Sequence, residues 1–359
     1  MSFSECQNLL DPDVINLGFS HWGLQKLEKP HSFEHYQAWL DKNYHGDMKY
    51  LADHLPLKKN PPLLTPQVKS SFVFAFPYVK NIPGQQNFPV QKNRVALYAK
   101  GFDYHFFLKE KLNSLISKLK KIYPQEEFLP VTDSFPLMER DLAARAGLGW
   151  FGKNTCLIHP KKGSLFLLCE ILTSLDLAET QKPLPDFCGT CTKCIEICPT
   201  SAIESPRLLN ATKCISYWTI ESRKIPPEPL REKFGDWLFG CDLCQTVCPW
   251  NQKIYKGLLE TRPLIDHTPE NEHSSHSEKE LLQELIFILS SSGKKISEWT
   301  KGTPLSRAGS FGLRRNALIV IANRKINGLR DHVERFLGDE KLGELAAWTL
   351  AKLDESPSP

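Results

Sequence analysis

The chain has 359 residues, and its 41% hydrophobic content is enough to build two or three domains with true cores. With 45 basic against 41 acidic residues the net charge is only +4, so global charge does not mark a nucleic-acid binder and any basic surface must be local. The longest nearly apolar run, residues 165–172, is interrupted by Glu170, and nothing in the chain can span a membrane.

Residues 1–180 read as one α/β unit. Tyr36, Leu40, Tyr44, Met48 and Leu51 recur at helical spacing over residues 35–55. Residues 71–76 form a short aromatic and β-branched run stopped by Pro77, which suits a buried strand. A long amphipathic helix is expected over 106–122, with Leu108, Leu112, Leu115, Ile116 and Leu119 on one face and Pro124 ending it. A second strand over 129–132 leads into Asp133, and 139–146 is again helical.

The run Gly147-Leu148-Gly149-Trp150-Phe151-Gly152 matches the dinucleotide-binding fingerprint letter for letter, but its context is inverted. That loop follows a strand and opens a helix, whereas here a helix precedes and a strand-like 155–159 follows. The glycines are expected to cap the helix and to lead into a hairpin in which 160–163 joins 155–159 to 164–172.

Eight of the 11 cysteines then follow in the order Cys188-x2-Cys191-x2-Cys194-x3-Cys198-Pro199, Cys214, and Cys241-x2-Cys244-x3-Cys248-Pro249. The first run is the bacterial ferredoxin pattern, in which three close thiolates hold one cubane and the fourth reaches across to another. The second run lacks a cysteine at position 238, where Leu238 stands, and Cys214 fills the vacancy. By the crossed rule Cys188, Cys191, Cys194 and Cys248 hold one 4Fe-4S cluster, and Cys198, Cys214, Cys241 and Cys244 hold the second. Structural zinc prefers two separated C-x2-C pairs. Disulfides need an oxidising compartment, and the opening residues carry no export signal, so a cytoplasmic protein is expected. Cys6, Cys156 and Cys169 read as ordinary reduced cysteines.

Residues 257–279 are polar, with prolines, histidines and paired serines, and read as a linker. Short amphipathic helices are expected over 281–289, 313–321, 326–336 and 342–353, a pattern resembling stacked HEAT-like helix pairs. The expected class is therefore α+β: an N-terminal α/β domain (1–180), a ferredoxin-like two-cluster domain (181–256), the linker (257–279) and a HEAT-like helical domain (280–359).

Two clusters move electrons but do not supply protons, so the first 180 residues must carry the reaction. The densest reactive group there is 98–105 together with 131–134, Glu139 and Arg140. A carboxyl at Asp133, desolvated at a strand end, would have a raised pKa and could donate a proton near neutrality. On pattern alone Asp133 also fits a turn or helix cap, His105 a core-edge histidine and Arg140 a solvated helix charge.

Thr132-Asp133-Ser134, Glu139-Arg140-x2-Ala143-Ala144-Arg145-Ala146 with the glycine run through Thr155, Cys214-Ile215-Ser216-Tyr217-Trp218, and Gly240-Cys241-Asp242 through Cys248-Pro249-Trp250-Asn251 carry a resemblance. Over nearly its whole length the chain resembles the epoxyqueuosine reductases, cobalamin and iron–sulfur enzymes that complete queuosine at the tRNA wobble position. The resemblance implies that cobalamin sits in the N-terminal domain and is reduced through the clusters, with the epoxide oxygen lost as water. It implies that Asp133 is the proton donor, that Asp103, His105 and Arg140 lie near the modified base, and that Lys58, Tyr98, Lys153 and Asn154 contact the cofactor. Lys58 stands where relatives often carry arginine. The Asp-x-His-x-x-Gly signature of histidine-ligated cobalt is broken by Leu108, so no protein histidine on cobalt is expected.

A low-potential electron donor and epoxide-bearing tRNA are the implied partners, and the protein is expected to act as a monomer. A reductive dehalogenase would share both cofactors but usually carries a twin-arginine export signal. A pure electron carrier would not need the front domain. The tRNA grip is expected on the C-terminal helices, where Arg307, Arg314 and Arg315 lie at turns that suit phosphate contacts. A solvated charged face is the alternative, since Glu334, Asp339, Glu340 and Glu344 follow closely.

Overall fold

The computed structural model describes residues 3–79, 83–177, 182–257, 259 and 274–355. In chain order its main elements are α1 (Phe3–Asn16), β1 (His21–Lys26), α2 (Phe33–Asp41), β2 (Ser70–Pro77), β3 (Arg94–Val95), α3 (Tyr104–Ile122), β4 (Phe128–Thr132), α4 (Glu139–Arg145), β5 (Trp150–Phe151), β6 (Leu157–Ile158), β7 (Phe166–Thr173) and β8 (Trp237–Phe239). The C-terminal part adds α5 (Ser274–Ser290), α6 (Gly293–Trp299), α7 (Gly309–Asn323), α8 (Arg330–Glu334) and α9 (Gly343–Asp354).

An antiparallel sheet in the order β1-β2-β7-β4 forms the front domain. Both faces of its central strands are covered, which is why β2 and β7 read as apolar runs rather than alternating ones. On one face, Phe72, Phe74, Cys169 and Ile171 pack with Leu108, Leu112, Leu115 and Leu119 of α3. On the other, Val73, Ala75, Val131 and Leu172 pack with Leu142 and Ala143 of α4. Glu170 pairs across the sheet with Val73 and Val131, so strand alternation places it on the α4 face. Asp103 caps α3, its carboxylate accepting from the His105 backbone N–H.

Two local expectations fail for tertiary reasons. The helical pattern over 35–55 ends with α2, because Asn43 and Gly46 take positive φ values of 55° and 58°. The Gly46 position lies against the Tyr217 ring, where a Cβ would come within 2.5 Å of the hydroxyl. Helix resumes only as turns at Tyr50–Asp53 and Leu55–Lys59. The expected hairpin is also replaced. Gly147, at φ 77°, caps α4 as foreseen, but β5 pairs with β6, and an isolated His159–Gly163 bridge closes only the tight turn before β7, with no ladder between 155–159 and β7 among the described residues. Both edges of β7 are taken by β2 and β4 instead, which leaves none for residues 155–159.

The C-terminal helices are not a separate module. α7 packs against α5, α6, α9 and β8, and one core joins Leu313, Leu318 and Ile321 to Trp218, Phe234 and Leu238 and to Val90 and Val95. β8 pairs in parallel with β3, which stitches the front domain to the cysteine region. Helix α6 was not foreseen from the residue pattern. Most of the expected linker, including His267 and His273, lies outside the described residues.

This shared core corrects the expected role of Arg315. Its side chain is fully buried and donates to the carbonyls of Ser222 (2.7 Å), Lys224 (3.0 Å) and Trp218, and to Asn316 Oδ1. The Asn316 amide donates in turn to the Thr219 and Leu238 carbonyls, both at 2.8 Å. Arg315 therefore braces backbone and cannot meet phosphate. Arg314 is half-buried and donates to the Ser291 carbonyl. Of the three arginines only Arg307 is exposed.

Candidate functional site

The cysteines fall into the two expected sets. Cys188, Cys191, Cys194 and Cys248 line one cavity of about 270 Å³, closed by Phe187, Pro249 and Trp250. The Trp150 indole N–H reaches Cys188 Sγ at 3.4 Å. In the other set, the Cys241 thiol lies within electrostatic reach of Cys214 and Cys198, and the Cys244 thiol within reach of Cys241 and Cys214. Burial pushes both thiols well above their ordinary range, so metal binding must displace their protons. Among the described residues no three such side chains close on a point fit for one ion. The first set surrounds a volume, as a cubane requires, and the soft thiol donors of both suit iron–sulfur chemistry.

Lys153 and Asn154 stand elsewhere than expected. Lys153 Nζ donates to the carbonyls of Gly189 (2.6 Å) and Cys191 (2.9 Å), and the Asn154 amide to that of Cys244 (3.1 Å). They bind the front domain to one ligand loop of each set. Cys6 and Cys169 are buried and outside any disulfide, while Cys156, also outside any disulfide, lies within electrostatic reach of Cys194, Cys248 and Cys244.

At the open end of the sheet, β4 delivers Asp133 and the α3 N-terminus delivers Asp103, Tyr104 and His105. His105 Nδ1 is 2.6 Å from Asp103 Oδ1, and Nε2 is 3.5 Å from Asp133 Oδ2. The Tyr104 hydroxyl donates to Asp133 Oδ2 at 2.8 Å. Burial opposes a charge on His105, but its hydrogen bonds to Asp103 and Asp133 prevail and raise its pKa to about 9. The expectation for Asp133 is thereby reversed. Its side chain is 61% exposed, and the His105 hydrogen bond, helped by Tyr104, holds its carboxyl below the usual range against desolvation. At neutral pH the proton of this pair sits on His105.

Arg140 is exposed, donates to the Thr155 carbonyl at 2.7 Å, and adds positive charge near Asp133. Tyr98 meets Tyr104 edge-on at 6.2 Å. Lys58 is buried and donates to the Leu137 carbonyl at 2.9 Å, so it tethers the loop after Asp133 instead of reaching outward. The sequence reading missed the rim of the cleft. There Arg307 forks onto both Glu221 oxygens (3.1 and 2.8 Å) and lies 5.6 Å over the Tyr50 ring, and the Tyr50 hydroxyl feels the charge of Asp133. Tyr104 stood in the 98–105 group with no role assigned, and the partner of Glu139, which is Glu170, was missed. Glu170 had announced itself as the single carboxylate in an apolar run. A hollow of about 420 Å³ between α5 and α6 carries Lys295 as its one charged group and offers no acid, base or thiol.

A protein that only carried electrons would have no use for an acid–base network at the end of a sheet, and the two together define an iron–sulfur oxidoreductase. Residues 58–134 match the family described as "Epoxyqueuosine reductase QueG, DUF1730", and residues 187–251 match the "4Fe-4S double cluster binding domain". Epoxyqueuosine reductase of Francisella cf. novicida is 32% identical over 91% of this chain and 89% of its own. That of Escherichia coli is 35% identical over 86% of this chain and 79% of its own, and that of Cyclobacterium marinum 40% over 66% and 76%. The fold is similar to a crystal structure of epoxyqueuosine reductase with an epoxyqueuosine-modified tRNA-Tyr stem loop (TM-score 0.79, 26% identity, 98% of this chain and 91% of that one). It is equally similar to a Bacillus subtilis epoxyqueuosine reductase whose catalytic aspartate loop is swung out of the active site (TM-score 0.78, 26% identity, 98% and 91%). The chain belongs to the epoxyqueuosine reductase family.

Proposed function

We propose that this protein reduces epoxyqueuosine to queuosine in tRNA, with Asp133 delivering the proton to the epoxide oxygen. The observation that carries the reading is the Asp103–His105–Asp133–Tyr104 network, which lies wholly inside the 58–134 family match. His105 holds a proton at neutral pH and faces Asp133, while Tyr104 fixes the orientation of the carboxylate. A modified base settling over Asp133 displaces the water that now solvates it, and desolvation draws the shared proton from His105 Nε2 onto the carboxylate. Asp103 keeps the imidazole in place.

Both His105 nitrogens are engaged by carboxylates, so this histidine is occupied in proton chemistry. Cobalamin would be held beside Tyr98, Tyr104, His105 and Asp133. Bound there, it would supply reducing equivalents received through the clusters, which are fed by a low-potential donor. The tRNA-bound relative supports tRNA as substrate, and Arg307, exposed at the rim, is the arginine placed to meet it. The test is anaerobic turnover of epoxide-bearing tRNA by the reconstituted protein, read by mass spectrometry of the nucleosides. Epoxyqueuosine that persists unchanged with both clusters and corrin loaded would overturn the proposal.

A further inference from the structure

Epoxide reduction to an alkene and water consumes two electrons and two protons, and the Asp133–His105 pair holds one proton at a time. We infer that Glu139 and Glu170 form a proton store behind Asp133, sharing one proton between two carboxylates and supplying the second proton of each turnover. The inference rests on the proposed epoxide reduction.

Glu170 is completely buried, and neither carboxylate oxygen has a hydrogen-bond partner. Glu139 Oε1 is also buried without a partner, and the two side chains lie within mutual hydrogen-bonding range. Two carboxylates in that position cannot both be ionised, and one shared proton satisfies the orphaned oxygens. Desolvation raises both groups, and Asp133 raises each further. Lys58 and Arg140 oppose this at Glu139 only, and Cys169 is the remaining titratable neighbour. The placement is directional. Glu170 sits opposite Val131, two residues before Asp133, on the face where Glu139 opens α4. Glu139 is half-exposed and links the buried Glu170 to the cleft.

The proton balance is as follows. Asp133 first protonates the epoxide oxygen as one C–O bond breaks, leaving a carboxylate. The Glu139–Glu170 pair gives its proton to that carboxylate, which passes it to the departing hydroxyl as the second C–O bond breaks and water leaves. The low-potential donor supplies both electrons through the clusters, and the emptied pair takes a proton from solvent. Neither glutamate touches substrate; both act through Asp133.

The experiment compares wild type, Glu139→Gln and Glu170→Gln as full-length, cluster-loaded proteins. Infrared spectra at neutral pH should show the carbonyl stretch of a protonated carboxylic acid in wild type, shifted or lost in both variants because the proton is shared. With iron content and KM for tRNA unchanged, kcat should fall roughly 10- to 100-fold, less than for loss of the acid itself, and the solvent isotope effect should grow. Absence of the acid band in wild type, or wild-type kcat in both variants, overturns the inference. The infrared result does not depend on turnover, so an inactive wild type would sink the proposed function and leave the store to be judged by spectroscopy.

Discussion

In the proposed reaction the cysteine array and the acid–base cleft handle the two halves of one reduction, and they are built on opposite plans. The array draws all eight ligands from one stretch, Cys188 to Cys248, and its spacing states its chemistry. The cleft draws Lys58, Asp103, Asp133, Arg140 and Glu170 from separate elements, and its chemistry depends on which neighbours meet. Soft ligands need number and spacing. Proton donors need a particular electrostatic setting, which only the assembled sheet supplies.

The contrast is broken most sharply at Asp133. Asp133→Asn should reduce kcat by about 10² to 10⁴, the usual worth of a general acid, while both clusters assemble normally. Wild-type turnover in that variant across pH 6–8 would move the proton donor to another group. The next effect in size belongs to Arg315. Arg315→Met should destabilise the fold by about 3 kcal/mol, because three buried carbonyls lose their donor, and urea unfolding measures it. Unchanged stability would return Arg315 to the surface role that the sequence suggested.

Arg307→Ala should weaken tRNA binding only roughly fivefold and flatten the salt dependence by about one unit, with cluster spectra unchanged. An unaltered salt slope would show that Arg307 serves Glu221 alone. Cys214→Ser should roughly halve the iron content, leaving the cubane of Cys188, Cys191, Cys194 and Cys248 in place. A full complement of about eight irons would undo the crossed assignment. The smallest signal is one of pH. The folded-state pKa of His105, about 9, lies above the ordinary 6.5, so its charge stabilises fully below pH 6.5 and the contribution fades as pH rises through 9. The Tm difference between wild type and His105→Gln should shrink over that window, and a flat difference would mean that the imidazole is neutral throughout.

Three of the four strands of the main sheet, the long α3 and the cysteine pattern were legible because each is written in local periodicity or spacing; β1 was not. The helix over 35–55 was not, because Gly46 yields to the Tyr217 ring, 171 positions away in sequence. Asp133 was located correctly and its ionisation misjudged, since the desolvation argument omitted a histidine that arrives from another element. Arg315 looked like a surface charge because a buried arginine satisfied by backbone carbonyls leaves no mark in composition. Glu170 did leave one, as a lone carboxylate in an apolar strand.

The bracing by Arg315 and Asn316 also sets an order of assembly during synthesis. Their donors fasten the backbone just after Cys214 and just before Cys241, yet both residues are translated later than every cysteine ligand. The 67 positions from Cys248 to Arg315 take roughly 3–13 s to polymerise at about 5–20 residues per second. Throughout that interval the first cubane's ligand loops have left the ribosome's catalytic centre, while the scaffold of the second is unfinished. Nascent chains stalled before residue 309 should therefore accept iron for one cubane, and release to full length should admit the other.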